Sequence, residues 1–313
     1  MRRGFRFFSV LVAGVLLAAC AANEGNIAGG QAQSGTVVVG AGNFTEQLIL
    51  GNMYADILED AGFPVDRSKI GVGAREIYFP AMENGEIDVM AEYLGATYGF
   101  LSSRAEGAGE PDVLTEVDEL RTAVMQALEA QGTGIVLLES SEAQDQDALA
   151  VTQETAERYN LQTVSDLAPV AGELVAGGPP EEETRRTGLR GLEEVYGIVF
   201  ADFVVTDAGG PVTLEALRQG RIQVGRVFTT TGFIAEENLV ILEEDRPLIP
   251  GENITPIVRQ EALTPEMEEA LNAVSAALTT EDLTELNRRV DIDREDPSDV
   301  ARDFLVQADL LPA

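Results

Sequence analysis

Short apolar runs alternate with amphipathic stretches along most of this chain, the pattern of strands alternating with helices. The first segment differs. Arg2, Arg3 and Arg6 precede an apolar run from Phe7 to Leu17, which is followed by the small residues Ala18 and Ala19. That pattern marks residues 1–19 as a secretory signal peptide, since a permanent span needs about 20 apolar residues. Residues 20–35 begin at the lone cysteine and are then mostly Ala, Gly, Asn, Gln and Ser, a flexible linker.

Order is expected from Thr36-Val-Val-Val39, a β-branched run suited to a buried strand. Gly40 to Gln47 turns the chain, and Leu48 to Leu58 has helical spacing. Asn43 and Glu46, three residues apart, fit a capping pair at that helix start. A similar unit follows: a strand from Val65, a turn at Gly71–Arg75 and a helix over Ile77–Asn84. Gly85-Glu-Ile-Asp-Val89 leads into a buried strand. Glu116–Gln131 is an amphipathic helix, and Ile135–Leu138 a strand.

A second set begins after the polar stretch 140–146. Strands are predicted at Ala148–Val151, Glu173–Ala176 and Leu239–Leu242, with helices at Thr155–Tyr159, Leu189–Tyr196 and Thr213–Gln219. Glu181–Glu183 is expected as a solvated helix start. Gly220-Arg-Ile-Gln-Val224 repeats the plan of Gly85-Glu-Ile-Asp-Val89 and predicts two similar lobes. Helices over Pro265–Ala277, Glu281–Arg289 and Ser298–Ala308 close the chain. The expectation is an α/β fold with a mostly parallel sheet in each of two lobes. Lobe 1 is assigned residues 36–143 and 231–313, and lobe 2 residues 144–230.

Composition narrows the chemistry. The chain has 54 acidic and 21 basic residues, a formal net charge of −33. Such a surface repels phosphates, so nucleic-acid binding is discarded. No histidine, no tryptophan and a single cysteine are present. This excludes Ser-His-Asp and Cys-His catalysis, histidine zinc sites and thiol redox chemistry. Asp291-Ile-Asp293-Arg-Glu295-Asp296 has the acid density of a calcium loop but lacks its central glycine and closing glutamate, and a solvated acidic loop is expected. Gly40-Ala-Gly42 lacks the third glycine of a dinucleotide fingerprint.

Leu17-Ala-Ala-Cys20 resembles a bacterial lipobox, which makes Cys20 the expected lipidation site and membrane anchor. The rest of the chain, from about Thr36 to Leu311, resembles the osmoprotectant-type substrate-binding lipoproteins of ABC importers, whose ligands are glycine betaine, carnitine or choline. The matching stretches are Asn43-Phe-Thr-Glu-Gln47, Gly85-Glu-Ile-Asp-Val89 with Glu92, Tyr93 and Gly95, and Ala148-Leu-Ala-Val151. Tyr196-Gly197 with Phe200, Leu239–Asp245 and Pro256-Ile-Val-Arg259 continue the series.

The resemblance implies a two-lobed clamp of the periplasmic-binding-protein type, type II-like. It implies an extracytoplasmic, non-enzymatic protein without a cofactor or metal, whose partners are a small solute, a cognate permease with its ATPase, and the membrane through its lipid. It places the ligand between the lobes, with a quaternary ammonium against aromatic rings. The candidate binding residues are Asn43, Phe44, Thr45, Gln47, Arg75, Tyr93, Tyr98, Asp147, Phe228, Thr229 and Thr230. Departures from the family pattern are Gly42 for a lysine, Arg75 for a threonine, Asp147 for a cage tyrosine, and Arg226 and Thr231 for aspartates. Arg75 is suited to bidentate carboxylate binding, so a clamp retuned for another carboxylated, amino-acid-derived solute is the alternative. An exported carboxylate-dependent hydrolase is a further one.

Overall fold

The computed structural model describes residues 35–105, 113–234 and 237–312. The expected signal peptide, Cys20 and nearly all of the linker lie outside the described residues.

The first lobe begins β1 (Val37–Ala41), α1 (Thr45–Asp60), β2 (Val65–Ile70), α2 (Arg75–Glu83), β3 (Val89–Tyr93), α3 (Leu94–Arg104), α4 (Val117–Ala130) and β4 (Ile135–Leu137). The chain then crosses to a second lobe of β5 (Asp147–Thr152), α5 (Gln153–Tyr159), β6 (Val175–Gly178), a short α6 (Leu189–Gly191), β7 (Asp202–Val205), α7 (Pro211–Arg218), β8 (Val224–Phe228) and β9 (Leu239–Ile241). It returns through β10 (Ile254–Arg259) and ends in α8 (Pro265–Ala277), α9 (Thr280–Asp291) and α10 (Pro297–Gln307). Thr264, Thr279 and Asp296 cap these last three helices through their side chains.

The two sheets share one plan. Their orders are β2-β1-β3-β10-β4 and β7-β6-β8-β5-β9. In each, a single crossing strand runs antiparallel to its neighbours: β10 against β3 and β4, and β5 against β8 and β9. Both faces of each sheet are covered. In the first lobe, Ile49, Leu50 and Met53 of α1 pack with Leu271, Leu286 and Phe304 of the tail helices on one face. Phe79, Met90, Leu101 and Val124 fill the other. In the second lobe, Leu149 and Val151 point into one core and Ala150 into the opposite one, as strand alternation requires.

The predicted echo is visible atom by atom. Asp88 Oδ2 accepts from Val38 N at 2.9 Å, and Gln223 Oε1 accepts from Val175 N at 2.9 Å. Ile87 presses on Gly40 of β1, as Ile222 presses on Gly177 of β6. In both copies the Gly-x-Ile-x-Val stretch is mainly the turn, and the strand starts at its valine.

The return crossing comes later than the expected 230/231 boundary. β9 pairs with β5, and Phe233, Leu242, Leu248 and Ile249 are buried in second-lobe cores. The chain recrosses around Pro250–Asn253, where Asn253 bridges to Gln144 on the outgoing segment.

Candidate functional site

The turns after β1 and β2 and the loops after β6 and β7 face each other across a cleft of about 620 Å³. A cleft of this size suits a small ligand. Asn43, Phe44, Thr45, Arg75, Tyr93, Asp147, Phe228 and Thr230, eight of the expected residues, line it.

Three of them form a row of rings. Phe44 stacks on Tyr93 with centroids 6.3 Å apart and on Phe228 at 5.4 Å, each pair inclined by 27°. Tyr93 and Phe44 come from the first lobe and Phe228 from the second. Strand pairing sets Phe228 directly opposite Asp147, so an aromatic face and a half-buried carboxylate enter the cleft side by side.

Gln47, Tyr98 and Thr229 do not line the cleft. Gln47 is fully buried and structural: its side chain donates to Ala91 O and accepts from Gly42 N, pinning the first turn to β3. Tyr98 lies two residues beyond the cleft-lining Ala96, about 200° round α3, and packs on the core around Phe79 and Leu101. Thr229 opens the turn that follows β8 and is not among the residues that line the cleft, although Phe228 and Thr230 on either side of it are. Its hydroxyl accepts from Gln146 N at 2.9 Å.

Asn43 and Glu46 are not a capping pair. The helix N-cap is Phe44, with no side-chain bond. Glu46 is instead turned inward, 2% exposed, and accepts from Tyr93 Oη at 2.8 Å, Thr230 Oγ1 at 2.6 Å and Asn287 Nδ2 at 2.8 Å. Burial pushes its carboxyl up, against these hydrogen bonds. Asn287 Oδ1, also buried, has no partner among the described residues and remains an acceptor on this wall.

Arg75 lines the cleft, but its fork is closed. Nε and Nη2 both bond Glu92, the shortest contact being 2.8 Å, and Glu92 is 1% exposed. A carboxylated ligand would compete with a buried carboxylate already in place, which counts against the retuned clamp. Arg185, the cleft's other arginine, pairs with Glu76 of the opposite lobe at 3.3 Å.

Acids dominate the remaining polar wall: Glu46, Asp145, Asp147, Glu181, Asp207, Glu252 and Asp291. Asp207 is spent on the start of α7, accepting from Gly210, Val212 and Thr213 N. Asp291 accepts from Thr45 Oγ1, so the expected acidic loop of 291–296 opens with a cleft residue. Glu252 accepts from Ala96 N, and its burial pushes it up to about 8.

Glu182, expected as a solvated helix residue, is 3% exposed. Arg226 of β8 draws it in: Nε and Nη2 lie 2.8 and 2.7 Å from its Oε2, behind the cleft wall.

Sequence reasoning missed Glu46, Tyr78, Asp145, Glu252 and Asn287 as cleft residues. Glu46 sits in a motif already singled out. Asn287, 241 residues away, carries no local signal.

Comparison with known proteins decides what this cleft belongs to. The family described as the substrate binding domain of ABC-type glycine betaine transport systems matches residues 35–307. The chain belongs to this family. Similar relatives include a glycine-betaine-binding protein of Pseudomonas aeruginosa, 31% identical over 308 residues, covering 93% of this chain and 94% of that one. The carnitine transport binding protein OpuCC of Listeria monocytogenes is 27% identical, with 88% of each chain covered. A solved glycine betaine/carnitine/choline ABC transporter protein shares the fold, with a TM-score of 0.68 at 24% identity, covering 88% of this chain and 99% of that one. As a member of this family the chain is an extracytoplasmic solute-binding component of an ABC importer, not an enzyme, and its partner is a permease. Among the described residues no helix is long and apolar enough to cross a membrane.

Proposed function

We propose that this binding domain captures a quaternary ammonium osmolyte of the choline, glycine betaine or carnitine kind between its lobes and hands it to its permease. The observation that carries this reading is the Tyr93–Phe44–Phe228 row beside Asp147. A methylated ammonium cannot donate a hydrogen bond, but it is attracted to π faces and to carboxylates. Both arginines of the wall are paired with acids, so the cleft presents net negative charge. That favours choline, with one positive charge and no carboxylate, over the zwitterions. Phe44, Tyr93 and Phe228 form the cation face, Asp147 neutralises it, and Asn43, Thr45 and Thr230 serve the polar end of the solute.

Calorimetry of the purified protein with choline, glycine betaine, carnitine and 3,3-dimethylbutan-1-ol tests this. The last compound has the shape of choline without its charge. Choline should bind at least tenfold tighter than the neutral alcohol. Equal binding of the two, or no binding of any ammonium, would overturn the reading.

The lipobox reading of Cys20 completes the proposal: the mature chain is held at the membrane by a lipidated first residue. Cys20→Ala should move the protein from the membrane fraction to the soluble extracytoplasmic fraction. Retention of the variant at the membrane would exclude the anchor.

A further inference from the structure

Glu46 and Asp145 stand together in the cleft wall, 2% and 4% exposed. Thr230 bonds both at once: its hydroxyl donates to Glu46 Oε2 at 2.6 Å and its backbone N–H to Asp145 Oδ1 at 3.2 Å. The remaining donors to Glu46 are the Tyr93 hydroxyl and the Asn287 amide. None of these donors is a cation. Two buried carboxylates without a positive partner repel each other and lack water, so ionising both is strongly disfavoured. Such a pair loses its protons in two well-separated steps.

We propose that Glu46 and Asp145 share one proton in the ligand-free protein and release it when an organic cation enters the cleft. The inference rests on the ammonium reading of the site. On binding, the carboxyl O–H bond breaks, its electron pair stays on the carboxylate and the proton passes to buffer. The incoming cation replaces the proton as the charge that lets both acids ionise. The pair therefore acts as the charge selector of the cleft: a neutral solute of the same shape cannot displace the proton.

The directions of titration agree with the geometry. Burial holds Asp145 well above the ordinary carboxylate range, and the neighbouring Glu46 charge adds to this. The titratable neighbours are Tyr93 of β3, itself held well above the usual phenol range by burial and by these acids, and Asp147 of β5. Glu252 on the same cleft wall is the competing proton source, since burial pushes its carboxyl up to about 8.

Choline is titrated calorimetrically into the whole protein from pH 5 to 9, in buffers of different ionisation enthalpy. The buffer dependence of the heat counts the protons exchanged. The expected result is release approaching one proton per choline, with affinity rising by up to about tenfold per pH unit while release lasts. Asp145→Asn, whose amide oxygen still accepts from Thr230 N, should abolish the release, and Glu252→Gln should leave it in place. Choline binding with no proton exchange across this range would overturn the inference while leaving the ammonium reading intact. Release that survives Asp145→Asn and vanishes with Glu252→Gln would also overturn it. Failure of every ammonium to bind would overturn both. Should Asp145→Asn fold poorly, the wild-type buffer series and Glu252→Gln still decide.

Discussion

The rings of Phe44 and Phe228, one from each lobe, stand 5.4 Å apart at 27° in the cleft. One ring precedes α1 and the other ends β8, so closing the lobes is what builds the aromatic face. Truncating Phe228 therefore takes the second-lobe ring out of the cleft while leaving the backbone pairing of β8 in place. A cation–π contact contributes about 0.5–2 kcal/mol, so Phe228→Ala should weaken choline binding about 2- to 30-fold. Phe228→Tyr should hold affinity within about threefold, because the ring is kept. Calorimetry on both variants checks this. Unchanged affinity in Phe228→Ala would remove the ring from the site.

Arg75 is expected to matter to folding more than to ligand affinity. Its guanidinium lies against the buried Glu92. Arg75→Ala leaves that carboxylate buried without its partner, which costs about 3–5 kcal/mol. Replacing both partners by methionine should recover most of the loss. Choline affinity, measured well below the melting temperature, should stay level or rise, since a positive charge leaves the wall. Intact stability with lost affinity would return Arg75 to the ligand.

The contrast between Arg75 and Glu46 shows how much of the site the sequence carried. The order of strands and helices was legible because each element has its own periodicity, and α8 matches its predicted span, Pro265–Ala277. The motifs at the ends of β1, β2 and β3 carry Phe44, Arg75 and Tyr93, and all three line the cleft. What those side chains do depends on partners elsewhere: Glu92 for Arg75, Thr230 and Asn287 for Glu46. No local pattern encodes such pairings. α3 was hidden because Gly95 and Gly99 weaken its helical signal. β7, none of whose four residues is fully buried, was missed as well, and with it went the Thr206–Pro211 loop. The return crossing was placed too early because β9 contributes only three residues to the second sheet.

Glu252 sets a pH dependence of stability. Burial raises its carboxyl to about 8 from an ordinary 4.5. Between those values the folded state binds more protons than the unfolded state, so this group's contribution declines as pH rises, by up to about 1.4 kcal/mol per unit. The contribution is fully present below 4.5 and gone above 8. Glu252→Gln, which can still accept from Ala96 N, should flatten the decline and leave the variant more stable than wild type at pH 8. Urea midpoints measured from pH 5 to 8.5 read this directly. A wild-type curve that rises across the range in step with that of the variant would contradict the assignment.

The internal echo of the two lobes makes a prediction that differs between them. A methyl group added at Gly177 would sit 2.7 Å from Ile222 Cδ1 and 3.0 Å from its Cγ2. At Gly40 it would sit 2.8 Å from both corresponding atoms of Ile87. Overpacking of this kind costs about 1–3 kcal/mol, so Gly177→Ala and Gly40→Ala should both destabilise. Isoleucine to valine removes Cδ1 and keeps Cγ2. In the second lobe this deletes the closer clash, and Gly177→Ala with Ile222→Val should be more stable than the sum of the single changes implies. In the first lobe Cγ2 is as close as Cδ1, so Ile87→Val should rescue Gly40→Ala less. Double-mutant cycles on urea unfolding measure the two couplings. No coupling in either lobe would mean that the turn isoleucines do not hold β1 and β6 by direct contact, and equal couplings would contradict the predicted difference between the lobes.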